Sequence, residues 1–391
     1  MSGSESGAVT RLQASPDGPG PLERWAAFPY YLAKPQWFLF MQSVALEHTA
    51  PSSADARLLA AQGNLAGAID IAMRAAWATE DLDLHTALVR WRRDAYVPTP
   101  NPTGRPDWPP RLPDPFPDQD GVPSIGLADA TADIIGGAIL HHGSLVVKGL
   151  VSRSAAEAFR QGIDQAWSAR DDFEAGRLGI NPAWFLPVAS ADAPELPYAR
   201  SCAQICCGLW AADSPPMLSR LIDLLTQCGI LDPIAELMGE RPLLTVTKST
   251  LRRVEPVTRA NWQRDEYGWH QDGVIIGRKV RAVNLWVALT DCGVDAPGLD
   301  LLARRVPYYL QTGSHGAWVE YSIGNGLVDL LVEGGANIVS PVFEAGDAVL
   351  FDPLTVHRSG VRQTMRHTRW AIEAWLLAPT DFPIDQVPLV I

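Results

Sequence analysis

The second half of the chain, from about residue 243 to residue 377, alternates short apolar segments with turn residues. We predict strands at residues 243–253, 280–290, 337–343, 348–351 and 369–377. Strands that follow one another without long helices between them are typical of antiparallel sheets that pack face to face, as in a jelly roll. The pattern therefore predicts a mixed α+β protein with flanking helices, whose jelly-roll core occupies about residues 243–380.

The N-terminal part of the chain differs in composition from the remainder. Residues 1–20 are rich in Ser, Gly and Pro, which predicts a disordered terminus. Residues 21–96 are predicted to be helical. Within them, Gly63, Ala68 and Ala75 follow the small-residue spacing of a single helix pair of the tetratricopeptide type, although one pair alone would not form a repeat array.

A proline-rich segment marks the clearest boundary in the chain. Residues 97–123 contain ten prolines, and such a segment is extended and stiff. We interpret it as a linker that separates the N-terminal helices from one large domain at residues 124–391.

The net charge and the cysteine content narrow the class of protein. The formal net charge is −12 at pH 7, which argues against nucleic acid as the main partner because duplex binding needs a basic surface. The five cysteines form no paired C-x-x-C zinc pattern, and without a secretory signal they indicate reduced thiols in a cytoplasm. The richest apolar run, residues 37–41, is too short to span a membrane. We expect a cytoplasmic protein that acts on a small molecule, and the composition leaves its oligomeric state open.

The segment Trp269-His270-Gln271-Asp272 is the first sign of metal chemistry. On an extended strand, residues two apart point to one face, so the His270 imidazole and the Asp272 carboxylate would converge. Such a pair arises easily by chance in a chain with eight histidines. A second signal lies downstream, where an apolar strand ends on His357. Together the three residues would form the 2-His-1-carboxylate triad, which holds one face of Fe(II) and leaves other positions open. Zinc could use the same ligands.

The order of these motifs resembles the phytanoyl-CoA dioxygenase family of Fe(II)/2-oxoglutarate oxygenases. The stretches that carry the resemblance lie within about residues 135–380 and are Trp269-His270-Gln271-Asp272-Gly273, Asn284-Leu285-Trp286-Val287-Ala288-Leu289, Ala296-Pro297-Gly298-Leu299-Asp300 and Thr368-Arg369-Trp370-Ala371-Ile372. The resemblance implies a double-stranded β-helix core of the cupin type, with Fe(II) as metal, 2-oxoglutarate as co-substrate and O2 as oxidant. It also implies hydroxylation of a small organic metabolite with release of succinate and CO2. A Gly or Ala at position 272 would resemble halogenases, whereas Asp272 resembles hydroxylases.

Arg369 is the candidate anchor for the distal carboxylate of 2-oxoglutarate. A planar guanidinium binds a carboxylate through two parallel hydrogen bonds, which fixes its orientation as well as supplying charge. Arg369 lies twelve residues after His357, one more than is usual in the family, so Arg366 and Arg362 compete for the role. Only Arg369 is followed by the matching Trp-Ala-Ile sequence.

Lys248 and Asn284 are further candidates for cofactor binding. For Asn284, a contact with the substrate and a buried amide satisfied by neighbouring backbone stay open as alternatives. An alternative function is that of a non-catalytic interaction or scaffold protein, which would use the N-terminal helices for partners and a degenerate jelly roll as a platform. The retention of all three ligand types together with Arg369 favours the enzyme.

Overall fold

A computed structural model describes residues 52–79, 81–98, 107–177, 184–188, 196–256, 268–277, 279–317 and 319–391. The predicted disordered residues 1–20, and the part of the predicted helical region up to residue 51, lie outside the described residues. Residues Ala50–Ile391 form one compact unit. Within the described ranges, no helix combines the length and the apolar character needed to cross a membrane.

Three helices precede all the strands in the chain, and the other seven described α-helices lie between strands. They are α1 Ser53–Ala61, α2 Leu65–Thr79, α3 Leu82–Asp94, α4 Ala132–His142, α5 Arg153–Glu174, α6 Leu196–Ile205, α7 Pro215–Gln227, α8 Leu231–Met238, α9 Gly273–Ile276 and α10 Asn325–Glu333. Local signals set several of their ends. The Ser152 hydroxyl accepts a hydrogen bond from the Ala155 amide and caps α5,. Gly143, with a φ of 80°, ends α4 in the left-handed conformation that glycine adopts without strain,.

The N-terminal helices α1 to α3 pack through small side chains and also contact the rest of the unit. Their fully buried alanines are Ala56, Ala68, Ala72, Ala75 and Ala76. The His85 Nδ1 atom of α3 lies 2.8 Å from the Ser219 hydroxyl of α7. The Arg92 guanidinium donates to the carbonyl of Val390 over 2.7 Å. These contacts tie α3 both to α7 and to the C-terminal end of the chain.

The described part of the proline-rich segment, residues 107–123, lies against α4. His142 of α4 contacts the Asp114 carboxylate through Nε2 and the Gly121 carbonyl through Nδ1, each over 3.0 Å. A Cβ atom added at Gly137 would approach the Pro113 carbonyl oxygen to 2.8 Å, so the absence of a side chain there permits the close contact. Much of this segment is therefore packed against the domain that follows it.

The strands form one large and one small sheet. They are β1 Ser124–Gly126, β2 Ser144–Lys148, β3 Gly208–Trp210, β4 Leu243–Val254, β5 Ala282–Ala288, β6 Gly298–Leu302, β7 Ile338–Val339, β8 Ala348–Phe351, β9 His357–Gly360, β10 Arg369–Leu377 and β11 Pro388–Leu389. The large sheet has the order β1-β2-β8-β5-β10-β4-β11, with β3 also paired to β4, and the small sheet has the order β7-β6-β9. All the pairings are antiparallel except that of β1 with β2. The predicted mixed α+β fold is confirmed.

The two faces of the large sheet contact different layers. On β5, Val283, Leu285 and Val287 belong to the core that the sheet shares with α4, α5, α7 and α8. Trp286 belongs to a second core, which includes Leu299 and Leu301 of the small sheet. We call the face that turns toward the small sheet the inner face. Because side chains alternate along a strand, its residues include Asn284, Trp286, Phe351, Arg369, Ala371, Glu373 and Trp375.

The predicted strands differ from the observed ones mainly in the small sheet. Strands β4, β5, β8 and β10 lie where the pattern predicts them. The predicted strand at 337–343 is reduced to Ile338–Val339, since Pro341 interrupts it and Phe343 forms an isolated bridge with Cys292. Strands β6 and β9 and helix α10 were not predicted, and β9 is too short and polar to stand out.

Candidate metal centre

His270 and His357 are brought together by the backbone. The amide of His270 donates to the carbonyl of His357 over 2.9 Å, and the amide of His357 donates to the carbonyl of His270 over 3.1 Å. This reciprocal pair is an isolated antiparallel bridge between His270 and the first residue of β9. The two imidazole rings consequently lie side by side, with their centroids 4.2 Å apart.

Asp272 is the third member of the candidate metal-binding group, but its backbone conformation differs from the predicted one. The residue has φ −63° and ψ −24°, so it is helical rather than extended, and the prediction that His270 and Asp272 share one strand is wrong. The chain leaves the bridge after His270 and turns into α9, and this turn brings the carboxylate back toward the imidazoles. One ligand atom from each of His270, Asp272 and His357 lies within 4.8 Å of the other two.

Hydrogen bonds orient both imidazoles for metal binding. The Nδ1 atom of His270 lies 2.8 Å from the Gly268 carbonyl oxygen, and that of His357 lies 3.1 Å from the Thr355 carbonyl oxygen. A carbonyl oxygen only accepts, so each Nδ1 atom carries the proton and each Nε2 atom keeps its lone pair. Carbonyl contacts of this kind fix the tautomer and the ring orientation of metal-binding histidines. The Nε2 atom of His357 lies 3.6 Å from Oδ2 of Asp272.

The charges around the group favour the protonation states that a cation needs. Burial alone would raise the pKa of Asp272, but the Lys248 ammonium, 2.8 Å from Oδ1, and the neighbouring histidines hold that pKa well below its usual range. Burial and the nearby His270 lower the pKa of His357 to about 4. At neutral pH the group therefore offers a carboxylate and a neutral buried imidazole, which together with the oriented His270 suit a divalent ion of the iron or zinc type.

Gln271 lies between the two ligands in sequence but has a separate task. Its side chain is buried and donates to the carbonyls of Tyr308 and Leu354 over 3.0 and 2.7 Å, while its Oε1 accepts from the Leu310 amide over 2.8 Å. The amide thus joins the ligand segment to the loop at 308–310 and to the loop that precedes His357. No local pattern in the sequence indicates this role, because only the folded chain brings these loops to Gln271.

Of the three competing arginines, only Arg369 lies inside the protein. Its guanidinium is fully buried, donates to the Gly298 carbonyl over 3.2 Å and lies 5.3 Å from the ring centroid of Trp286. Arg366 is exposed and donates to carbonyls of its own turn. Arg362 forms an ion pair with Asp300 over 2.7 Å. The geometry therefore favours Arg369 among the candidates for co-substrate binding.

A second buried ion pair lies on the inner face beside Lys248. The Arg252 Nε atom donates to Oε2 of Glu373 over 2.5 Å, and the Thr250 hydroxyl donates to the same oxygen over 3.1 Å. Burial would raise the pKa of Glu373, but Arg252 and Lys248 outweigh it and lower that pKa. Glu373 lies on the same face of β10 as Arg369, because side chains four residues apart on a strand point the same way,.

Asn284 is buried on the inner face, with 1% of its surface exposed. Its Oδ1 atom accepts no hydrogen bond from the described residues. The alternative in which neighbouring backbone satisfies this amide oxygen is therefore not what the structure shows. Lys248, the other further candidate for cofactor binding, forms an ion pair with Asp272 over 2.8 Å.

No protein-family model matches the chain, and no curated protein matches it. Among solved structures, the α-ketoglutarate-dependent carbocyclase SnoK from nogalamycin biosynthesis is 17% identical, with 64% of this chain and 93% of that chain covered and a TM-score of 0.39. EctD from S. alaskensis, with 2-oxoglutarate and 5-hydroxyectoine, is 17% identical, with 62% and 74% covered and a TM-score of 0.40. AviO1 from Streptomyces viridochromogenes Tue57 is 18% identical, with 63% and 94% covered and a TM-score of 0.37. Likeness at this level is partial, and the chemistry of this protein rests on its own residues.

Proposed function

We propose that the protein is an Fe(II)- and 2-oxoglutarate-dependent dioxygenase that hydroxylates a small organic molecule and releases succinate and CO2. The observation that carries the proposal is the group formed by His270, Asp272 and His357. It consists of two imidazoles with both Nδ1 atoms bonded to carbonyls and one ionised carboxylate, gathered within 4.8 Å. Two neutral nitrogen ligands and one hard anionic oxygen ligand are the donor set of non-haem iron oxygenases.

The proposal assigns the distal carboxylate of 2-oxoglutarate to Arg369. Arg369 donates to the carbonyl of Gly298, which pairs with Gly360, three residues beyond His357 on β9. A strand rises about 3.3 Å per residue, which separates these positions by roughly 10 Å. A short dicarboxylate held by the metal at one end could be held by the guanidinium at the other. The buried ring of Trp286 shields this guanidinium from water.

Lys248 would assist cofactor binding indirectly in this scheme. Its ammonium holds Oδ1 of Asp272 and so favours coordination of the ion through the other carboxylate oxygen, with the carboxylate kept ionised. Asn284, on the same inner face, would contact either the co-substrate or the substrate. The proposal also includes a double-stranded β-helix core and membership of the phytanoyl-CoA dioxygenase family, both supported by the motifs and by the two packed sheets.

The chain itself would supply position and a dry environment. When bound, the ferrous ion would provide the redox chemistry that couples 2-oxoglutarate decarboxylation to substrate oxidation. His270, Asp272 and His357 would hold it on one side only, and Gln271 would keep their two segments in register. Arg369 would orient the co-substrate, and the aromatic residues Trp286, Phe351 and Trp375 would exclude water from the reacting groups.

An anaerobic titration tests the proposal. Addition of Fe(II) and 2-oxoglutarate to the protein should produce the weak visible charge-transfer band of the metal–oxoacid chelate, and calorimetry should show 2-oxoglutarate binding only when the metal is present. Admission of O2 should then yield succinate. A protein that binds neither Fe(II) nor 2-oxoglutarate would instead fit a non-catalytic scaffold, and the proposed function would be wrong.

A further inference from the structure

Two directly opposed side chains on the inner face each bury a polar atom, and the two atoms are of opposite kind. The Oδ1 atom of Asn284 is a hydrogen-bond acceptor, and the indole Nε1–H of Trp375 is a donor. Neither has a hydrogen-bond partner among the described residues, and the two side chains are 1% and 0% exposed. Asn284 and Trp375 are directly opposed on the neighbouring strands β5 and β10, where side chains stand about 5 Å apart. A small group that lies between these two side chains can contact both of them.

Phe351 contacts both this pair and the metal ligand His357. Asn284 is also directly opposed to Phe351 on its other side. The ring of Phe351 lies 4.6 Å from that of His357 and 5.9 Å from that of Trp375, between centroids. Phe351 thus links the pair to the candidate metal centre through direct ring contacts.

The pair is also set apart from the position assigned to the distal end of 2-oxoglutarate. Arg369 contacts Trp286, which is paired with Glu373 across β5 and β10. Asn284 and Trp375 form the next inner-face pair along these two strands. Trp286 therefore stands between Arg369 and the pair. A ligand of Asn284 and Trp375 would occupy the side of the site that the distal carboxylate does not use.

Burial of an unsatisfied donor and an unsatisfied acceptor costs free energy, so a ligand that pairs with both groups at once would recover that free energy. The donor on Trp375 requires an acceptor on the ligand, and the acceptor on Asn284 requires a donor. A hydroxyl group meets both demands with one oxygen atom, whereas a ketone or a carboxylate supplies only acceptors.

We propose that Asn284 and Trp375 form a substrate subsite that recognises a hydroxyl group, so that the substrate is an alcohol or polyol held by this hydroxyl next to the metal ligands. The inference deepens the proposed function and rests on it for the location of the reacting atoms. In the bound state the hydroxyl oxygen accepts from the Trp375 indole, and its proton is donated to Oδ1 of Asn284. Asn284 and Trp375 then act as specificity-determining residues.

The first test measures the stability of two variants, Asn284→Leu and Trp375→Phe. Each removes an unsatisfied polar atom and keeps most of the packing. The apo Tm of Asn284→Leu should equal or exceed that of the wild type, because the change removes a buried acceptor that has no partner among the described residues. Trp210→Phe is the matched control for Trp375→Phe. Trp210 is also fully buried, and its indole N–H has no partner in the described part of the chain, but it lies in the core on the helical side of the sheet. A marked fall in the apo Tm of Asn284→Leu would overturn the inference, since it would show that the amide has a structural partner such as a fixed water.

The second test detects the hydroxyl directly and does not require turnover. In protein with isotope-labelled tryptophan, the indole N–H signal of Trp375 is the one missing from Trp375→Phe. Titration with 2-propanol should shift this signal at several-fold lower concentration than titration with acetone, which can accept but not donate. In Asn284→Leu the advantage of 2-propanol should disappear, while Trp210→Phe should behave like the wild type. No shift with either probe, or equal shifts with both, would overturn the inference.

The two proposals fail in different ways in these experiments. The titrations use the metal-free protein, so they report on the subsite even if the wild type shows no charge-transfer band and the dioxygenase proposal fails. Conversely, a normal band with equal responses to 2-propanol and acetone leaves the dioxygenase intact and removes the hydroxyl subsite.

Discussion

The ammonium of Lys248 lies 2.8 Å from Oδ1 of Asp272. Both side chains are almost completely shielded from water. Burial would lower the pKa of Lys248, but Asp272 and Glu373 outweigh burial and raise it. The ion pair therefore keeps a charged carboxylate inside the protein before any metal is bound, and it reserves one carboxylate oxygen for the lysine.

Lys248→Met should make metal binding depend strongly on pH. Without the ammonium, burial dominates and raises the pKa of Asp272, so protons compete with the ion for the carboxylate as the pH falls. We expect the affinity for Fe(II) or Zn(II), measured by calorimetry, to drop more steeply in Lys248→Met than in the wild type between about pH 7.5 and about pH 5.5. Lys148→Met is the control, because Lys148 pairs with Asp347 over 2.7 Å away from the ligands. Equal pH dependence in the wild type and Lys248→Met would contradict this account.

Arg369→Ala should weaken 2-oxoglutarate binding while leaving metal affinity nearly intact. Loss of a buried charge-assisted pair costs about 2–3 kcal/mol, which corresponds to roughly 30- to 150-fold in affinity. Arg369→Lys should recover only part of this, since an ammonium lacks the bidentate geometry. Arg366→Ala is the matched control, because Arg366 is exposed and lies three residues before Arg369 in the chain. The assignment of Arg369 fails if Arg366→Ala shows the larger effect on the 2-oxoglutarate requirement.

Asp272→Ala should abolish succinate production and weaken Fe(II) binding. The change removes the only anionic member of the group and leaves His270 and His357 to hold a doubly charged ion. Asp272→Glu keeps the charge but moves it by one methylene, and it should also impair turnover. The single variants His270→Ala and His357→Ala should resemble Asp272→Ala, because each removes one of three ligands. Full activity in Asp272→Ala, assayed by succinate release, would exclude this group as the metal site.

The triad motif and the resemblance to the oxygenase family made His270, Asp272, His357 and Arg369 candidates, and the structure brings the first three together. Alternation along a strand was enough to place Arg369 and Glu373 on one face of β10, since that rule depends only on local geometry.

Other features depend on contacts that no local pattern encodes. The salt bridge of Lys248 with Asp272 and the hydrogen bonds of Gln271 join residues that are distant in sequence. The helical conformation of Asp272 follows from the turn into α9, where an extended strand was expected. Strand β9 is defined by pairing with β6. A pattern based on apolar residues does not predict it, because it contains the polar residues Arg358 and Ser359.

The metal-free protein should lose stability as the pH falls below about 6.5. The pKa of His357 is lowered to about 4 by burial and by His270, and that of His85 is lowered to about 4 by burial and by Arg220. Between pH 6.5 and pH 4 the unfolded chain binds protons at these sites and the folded chain does not, so acidification favours unfolding. Each histidine contributes roughly 1.4 kcal/mol per pH unit in this window. Urea unfolding with a chelator, at pH 7 and pH 5, measures the loss, and His85→Gln should reduce it. A stability that stays constant over this range would contradict the assignment of both histidines as neutral in the fold.

The reciprocal hydrogen bonds between His270 and His357 have a consequence for the metal-loaded protein. An ion held by both imidazoles would act as a cross-link across the end of the small sheet, closing the long loop formed by residues 271–356. Opening of this bridge would then require the ion to give up a ligand. Amide hydrogen exchange at His270 and His357 should therefore slow markedly when Fe(II) or Zn(II) is added, while the amides of β4 and β5 exchange as before. Removal of the ion by a chelator would make this end of the small sheet the first place to open.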